Sequence, residues 1–179
     1  MMKRIYSHLL ALFACALIIF TLGSCSATEE HMGFKVISKE INGFTLFVPD
    51  GWTETSQNGF VSATVDGESG DSSNVSVMTS VNSQNKTPEQ YYDDLIASYV
   101  DLYDNVETLQ RDIDTKLGEN NAKKFVFTAE VLGQKYKFMQ VLCAYDGKMY
   151  IFTYTSTEEF YEEWEMEVKY VLEYFEFEA

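Results

Sequence analysis

The stretch Phe138-Met139-Gln140-Val141-Leu142-Cys143-Ala144-Tyr145 is apolar at odd and even positions alike. Asp146-Gly147 follows, a strong two-residue hairpin turn, and then Tyr150-Ile151-Phe152, again apolar on both alternating faces. In a strand, successive side chains point to opposite faces. An antiparallel sheet with one wet face should therefore alternate apolar with polar. This hairpin does not alternate, so both faces of its sheet need a cover. Two amphipathic helices are available, and the expected fold is α/β: an α/β/α sandwich around a mainly antiparallel sheet.

The first helix is expected to open at Thr87-Pro88-Glu89-Gln90. Thr87 is the N-cap, Pro88 suits the first helical position and Gln90 completes a capping box. Tyr91, Tyr92, Leu95, Ile96, Tyr99, Leu102 and Tyr103 recur at helical spacing as its apolar face. Ser156-Thr157-Glu158-Glu159 is a second capping box. The helix expected after it places Phe160, Trp164, Val168, Val171 and Phe175 on one side. Other strands are expected at 34–41 and 44–48 around an Asn42-Gly43 turn, and at 60–65, 74–81, 106–117, 123–132, 135–145 and 148–155.

The N-terminus carries a different signal. Lys3 and Arg4 precede an uncharged apolar run from Leu9 to Leu22, which is short for a spanning helix of about 20 residues and fits an export leader. The run ends in Leu22-Gly23-Ser24-Cys25, which resembles the bacterial lipobox. The resemblance implies that residues 1–24 are a lipoprotein signal peptide and that Cys25 receives a diacylglyceryl group. Each buried CH₂ of an acyl chain contributes about 0.8 kcal/mol, so two chains hold where one would not. Residues 25–33 are small, polar and non-periodic, and read as a tether between the lipid and a domain at 34–179.

Charge narrows the function classes. The chain has 13 Lys+Arg and 28 Asp+Glu; removal of Lys3 and Arg4 leaves 11 against 28, a net charge of −17. Nucleic acid is not expected as a partner, because phosphate affinity comes from clustered Lys and Arg. After leader removal, His31 is the only histidine and lies in the tether, so a His-based triad or multi-His metal site is not expected. Cys143 is the one other mature thiol and reads as a buried strand residue.

Four constellations remain. Asp66-x-Glu68-x-x-Asp71 is an oxygen-rich loop of the sort calcium favours, although EF-hand spacing is absent. Glu158, Glu159, Glu162, Glu163, Glu165 and Glu167 read as a solvated face or a docking surface for a basic partner. Asp112 and Asp114 alternate on one strand and read as edge-strand charges. Tyr91, Tyr92, Tyr99, Tyr103, Tyr136, Tyr145, Tyr150 and Tyr154 read as core residues or as the lining of a ligand groove.

An ordered set of short motifs resembles the PsbP/DcrB-like domains over roughly residues 34–177. It begins with Gly43-Phe44-x-Leu46-x-Val48-Pro49-x-Gly51-Trp52. Thr87-Pro88-Glu89-Gln90-Tyr91 opens a helix, and Leu117-Gly118 precedes Ala122-Lys123-Lys124-Phe125. Gln140, Asp146-Gly147-Lys148-x-Tyr150-x-x-Thr153-Tyr154 and Phe175-x-Phe177 complete the set. The chain departs from the family at Asn120-Asn121, where Asn-Gly is common. The resemblance implies an α/β/α sandwich used in accessory, assembly and interaction roles, with no shared catalytic residues. The expected function is that of a membrane-anchored extracytoplasmic lipoprotein: a non-enzymatic interaction or assembly module with an envelope protein partner, no cofactor and no metal. The alternative is a small-molecule or cation-binding lipoprotein using the tyrosines or the acidic loop. A hydrolase is the weakest reading, since no nucleophile–base pair can be named.

Overall fold

The computed structural model describes residues 31–38, 43–56, 60–66 and 70–178. The expected leader (1–24), Cys25, most of the tether, Asn42 and Glu68 lie outside the described residues. The compact body begins at His31.

Seven strands form one antiparallel sheet. They are β4 (Trp52–Glu54), β5 (Val61–Val65), β6 (Asn74–Val81), β7 (Asp104–Leu117), β8 (Asn120–Val131), β9 (Gln134–Tyr145) and β10 (Lys148–Thr157). Their spatial order is β4-β5-β6-β10-β9-β8-β7. The doubly apolar hairpin thus occupies the interior of the sheet: β10 pairs with β9 on one side and β6 on the other. Asp146 and Gly147 both adopt positive φ, 45° and 69°, as the expected hairpin turn requires.

Two apolar clusters divide the hairpin's side chains by parity. Val141, Cys143, Tyr150, Phe152 and Tyr154 join one cluster with Leu46, Val48, Trp52, Val168, Val171 and Phe175. Leu142, Met149 and Ile151 join the other with Tyr92, Phe125 and Phe127. Helix α1 (Pro88–Leu102) supplies Tyr91, Tyr92, Leu95, Ile96 and Tyr99 to the second cluster. Helix α2 (Glu165–Glu173) supplies Val168 and Val171 to the first. The lack of alternation in β9 and β10 follows from this: each face has an apolar cluster of its own. Leu102, expected on the α1 face, is 71% exposed at the helix end, and Tyr103 and Val106 pack there instead.

The α1 capping box forms as the sequence specifies. The Gln90 amide donates to Thr87 Oγ1 at 3.4 Å, and the Thr87 amide donates to Gln90 Oε1 at 3.0 Å. The second box does not form. Strand β10 continues through it, with Ser156 opposite Lys137 and Thr157 opposite Tyr136. Ser156 is fully buried, its hydroxyl 2.7 Å from that of Ser73. Residues 158–164 are turns, and α2 starts at Glu165 behind Trp164, which makes no side-chain cap. Extension of the ladder satisfies more backbone groups than an early helix start would, so the local cap signature loses.

The N-terminal hairpin also departs from expectation. A two-residue turn at Asn42-Gly43 would set Val36 opposite Pro49. Instead β1 (Phe34–Val36) pairs with β3 (Phe47–Pro49) so that Phe34 faces Pro49 and Val36 faces Phe47. The shift is two residues, which keeps every side chain on its own face. Gly43 is engaged elsewhere: its carbonyl accepts from the Glu178 amide at 3.2 Å. The next residues, β2 (Phe44–Thr45), pair with β11 (Glu176–Phe177).

Candidate functional site

The most constrained polar arrangement lies where loop 70–73 meets the residues before α2. Asp71 Oδ1 accepts from the Ser73 amide at 2.8 Å and from the Ser73 hydroxyl at 2.6 Å. Asp71 Oδ2 accepts from Trp164 Nε1 at 2.7 Å. Trp164 packs edge-on against Trp52, with ring centroids 5.7 Å apart. Behind them, the Tyr154 hydroxyl donates to the Tyr161 carbonyl at 2.9 Å. Burial raises the pKa of Tyr154 to about 12 and raises that of Tyr161 as well. Tyr161, rather than the expected Phe160, is the aromatic ring buried here. The arrangement clamps a loop to a helix; its acceptors are filled by protein donors.

Asp71 has both oxygens occupied, and both Asp66 oxygens accept from Thr53 Oγ1, at 2.7 and 2.8 Å. Among the described residues no group of three or more His, Cys, Asp or Glu side chains could hold a metal ion.

The Asp112–Asp114 pair is separated by irregular backbone. β7 is an edge strand, and its register with β8 shifts between Gln110 and Ile113. Asp112 sits there at φ 57°, so simple alternation with Asp114 is broken. Asp112 pairs with Arg111 at 3.1 Å, and Asp114 with Lys123 at 2.7 Å. Arg111 also holds Asp93 at 2.6 Å; Asp93 and Asp112 together raise the guanidinium pKa. Asp114, then Glu89, raises that of Lys123. Charges and bulges of this kind discourage pairing with another chain.

The tyrosines pack inward. Tyr92 stacks on Phe125 with centroids 3.8 Å apart, and Tyr99 on Phe127 at 5.4 Å. The Tyr99 hydroxyl accepts from Gln140 Nε2 at 2.9 Å, giving that buried nitrogen a partner. Tyr92, Tyr150 and Tyr154 are buried. Two open clefts of about 480 and 470 Å³ lie elsewhere, and none of these tyrosines lines them. One is bounded by Gln134, Lys135, Thr157 and Glu158, the other by Lys116, Gly118, Lys169 and Leu172. Cys143 is fully buried, and its thiol donates to the Asn121 carbonyl at 3.4 Å. Burial pushes that thiol up to about 11, away from nucleophilic chemistry.

The glutamate series is divided by the late start of α2. Glu158 and Glu159 line the first cleft, and Glu158 pairs with Lys135 at 2.9 Å. Residues 158–163 lie outside the helix, so Glu158 and Glu162, and Glu159 and Glu163, are not helical i,i+4 neighbours.

An apolar strip on the outer side of α2 is absent from the expectations. His31 stacks flat on Tyr174 at 3.7 Å, and Phe34 meets Tyr174 and Tyr170 edge-on at 5.2 and 6.2 Å. Met166 and Tyr170, one turn apart on α2, are exposed, as are Met32, next in the chain to His31, and Val36, two residues beyond Phe34. The available signal is the i,i+4 series Met166, Tyr170, Tyr174, which makes α2 apolar on a second face.

A mainly antiparallel sheet with two helices in this order defines a recurrent architecture. Cyanobacterial PsbP (CyanoP) from Synechocystis sp. PCC 6803 matches with a TM-score of 0.59 at 15% identity, covering 87% of this chain and 98% of that one. LpqN of Mycobacterium tuberculosis, described as involved in cell envelope biogenesis, matches with a TM-score of 0.51 at 10% identity over 76% and 83%. The Saccharomyces cerevisiae Ran-binding protein Mog1p matches with 0.53 at 9% identity over 78% and 84%. At these identities the likeness is one of fold. No curated protein is significantly similar in sequence. The family is set by residues 44–173, which match the DcrB model: the chain belongs to the DcrB family.

Proposed function

We propose that this protein is a lipid-anchored module of the cell envelope, held through Cys25 on the extracytoplasmic face of a membrane, where it binds or helps assemble other envelope proteins without catalysing a reaction. The observation that carries the reading is the joining of a DcrB-family domain to a leader ending in Leu22-Gly23-Ser24-Cys25. The envelope role described for LpqN, which shares the fold, supports it. The body's α/β/α sandwich gives such a module two separately covered sheet faces. Among the described residues no helix is long and apolar enough to cross a membrane. In this reading the acyl chains on Cys25 supply the attachment.

The test is metabolic labelling of cells with a palmitate analogue, followed by fractionation. Wild type should be labelled and sediment with membranes. Cys25→Ala should be unlabelled. Equal labelling of the two would overturn the anchor. Cross-linking on intact cells then tests the interaction role, and capture no different from that of a secreted control protein would count against it.

A further inference from the structure

We infer that the outer face of α2, with Met32, Phe34, Val36, Met166 and Tyr170, is the surface on which the body rests against the bilayer. The inference depends on the lipid anchor proposed above and adds an orientation to it. Met32 is 99% exposed and Met166 58%, and Tyr170 and Val36 are exposed as well. Phe34 and Tyr170 meet edge-on, so strand β1 and helix α2 contribute to one continuous strip. Large apolar side chains exposed in a contiguous strip mark a contact surface rather than scattered surface residues.

The position of the chain entry identifies the occupant. The strip begins at His31, where the body begins. Six peptide steps separate His31 from Cys25, so an extended tether reaches at most roughly 20 Å. A body held on so short a tether presents the face at its attachment point to the membrane. Docking is then intramolecular, and a weak strip acts at high effective concentration. Methionine and tyrosine suit an interface: one is flexible and apolar, the other is an apolar ring with a polar tip. Glu165, Glu167 and Glu173 share α2 with Met166, Tyr170 and Lys169, so anionic headgroups oppose docking electrostatically. At about 0.15 M salt that repulsion is screened beyond roughly 8 Å.

The test supplies the tether chemically. The mature chain from Cys25 is coupled through Cys25 to a maleimide-bearing lipid in phosphatidylethanolamine–phosphatidylglycerol vesicles. Cys143, fully buried, does not compete. Hydroxyl-radical footprinting compares vesicle-bound with free chain. Oxidation of Met32, Met166 and Tyr170 should fall severalfold on the vesicle, while Val81 and Val100, also exposed, stay unchanged. In Met166→Glu/Tyr170→Glu, which alters only exposed positions, Met32 should regain its free-chain rate. Unchanged oxidation of Met32 and Met166 on vesicles overturns the inference, as does protection of Met32 that survives the double substitution. Protection that appears in the free chain on concentration, without lipid, assigns the strip to a second copy and also overturns it. Since the coupling replaces acylation in the cell, failure here is distinct from failure of the Cys25 labelling experiment.

Discussion

The amide of Gly118 donates a 2.7 Å hydrogen bond to the carbonyl of Leu172, tying the β7–β8 turn to the last turn of α2. Gly118 holds φ +54°, and a Cβ there would sit 2.0 Å from the Phe175 carbonyl oxygen. The turn and the helix end are therefore built around the absence of a side chain.

Gly118→Ala should destabilise the fold by about 1–3 kcal/mol, combining left-handed strain with displacement of backbone at Phe175. Urea unfolding should show a lower midpoint with little change in slope. An unchanged midpoint would mean that the helix end shifts freely, against the packing described.

The β8–β9 turn offers the opposite case. Leu132 adopts φ 54° with its side chain fully in solvent, so it accepts left-handed backbone without any packing in return. Leu132→Asn should stabilise by about 1 kcal/mol, because asparagine tolerates that region and leucine does not. For a chain of this size, each kcal/mol raises Tm by about 2–4 °C, readable by calorimetry.

Asp71 and Asp66 separate a structural role from a cation site. Asp71→Ala strips the partner from Trp164 Nε1 and from the Ser73 amide and hydroxyl. The expected loss is about 1–3 kcal/mol. Asp66→Ala removes an exposed bond to Thr53 and should lie within about 0.5 kcal/mol of wild type. Added calcium should leave Tm unmoved in all three proteins. A calcium-dependent rise in wild type that Asp66→Ala abolishes would restore the cation-binding alternative.

Much of this fold is legible in local sequence, and the exceptions share one physical cause. The Asp146-Gly147 turn, the Thr87–Gln90 capping box and the doubly apolar β9–β10 hairpin each combine local chemistry with an agreeing tertiary demand. Ser156-Thr157-Glu158-Glu159 has the same quality of local signal, yet Ser156 is claimed by Ser73, distant in sequence, and by continued pairing with β9. The register around Asn42-Gly43 yields in the same way to the long-range pairing of β2 with β11. His31 reads as tether because nothing near it in sequence shows that Tyr174 stacks on it. Asp71 is visible as an acid, but the donors that fill it are not. Local propensity is a weak prior wherever a distant partner competes for the same groups.

Buried hydroxyl and thiol groups set the alkaline limit of the fold. Burial raises the Cys143 pKa from 9.0 to about 11, and raises those of Tyr92, Tyr99, Tyr150, Tyr154 and Tyr161 above the usual tyrosine value. In the unfolded chain these groups ionise from about pH 9 to 10, while the folded protein keeps them protonated. The unfolded state then binds fewer protons, so stability falls as pH rises. The Cys143 share is fully present below pH 9 and is lost progressively as pH climbs toward about 11, with the tyrosines extending the loss to higher pH. Urea midpoints should be flat from pH 7 to 8.5 and decline steeply above about pH 9. Cys143→Ala should show a lower midpoint at neutral pH, from the cavity it leaves, but a shallower decline between pH 9 and 10. Over the same range, Cys143 in the native wild type should resist iodoacetamide and become modified once the protein is unfolded in urea. Rapid modification of the native protein at pH 8, or an alkaline decline identical in the variant, would show that the thiol is not held neutral by burial.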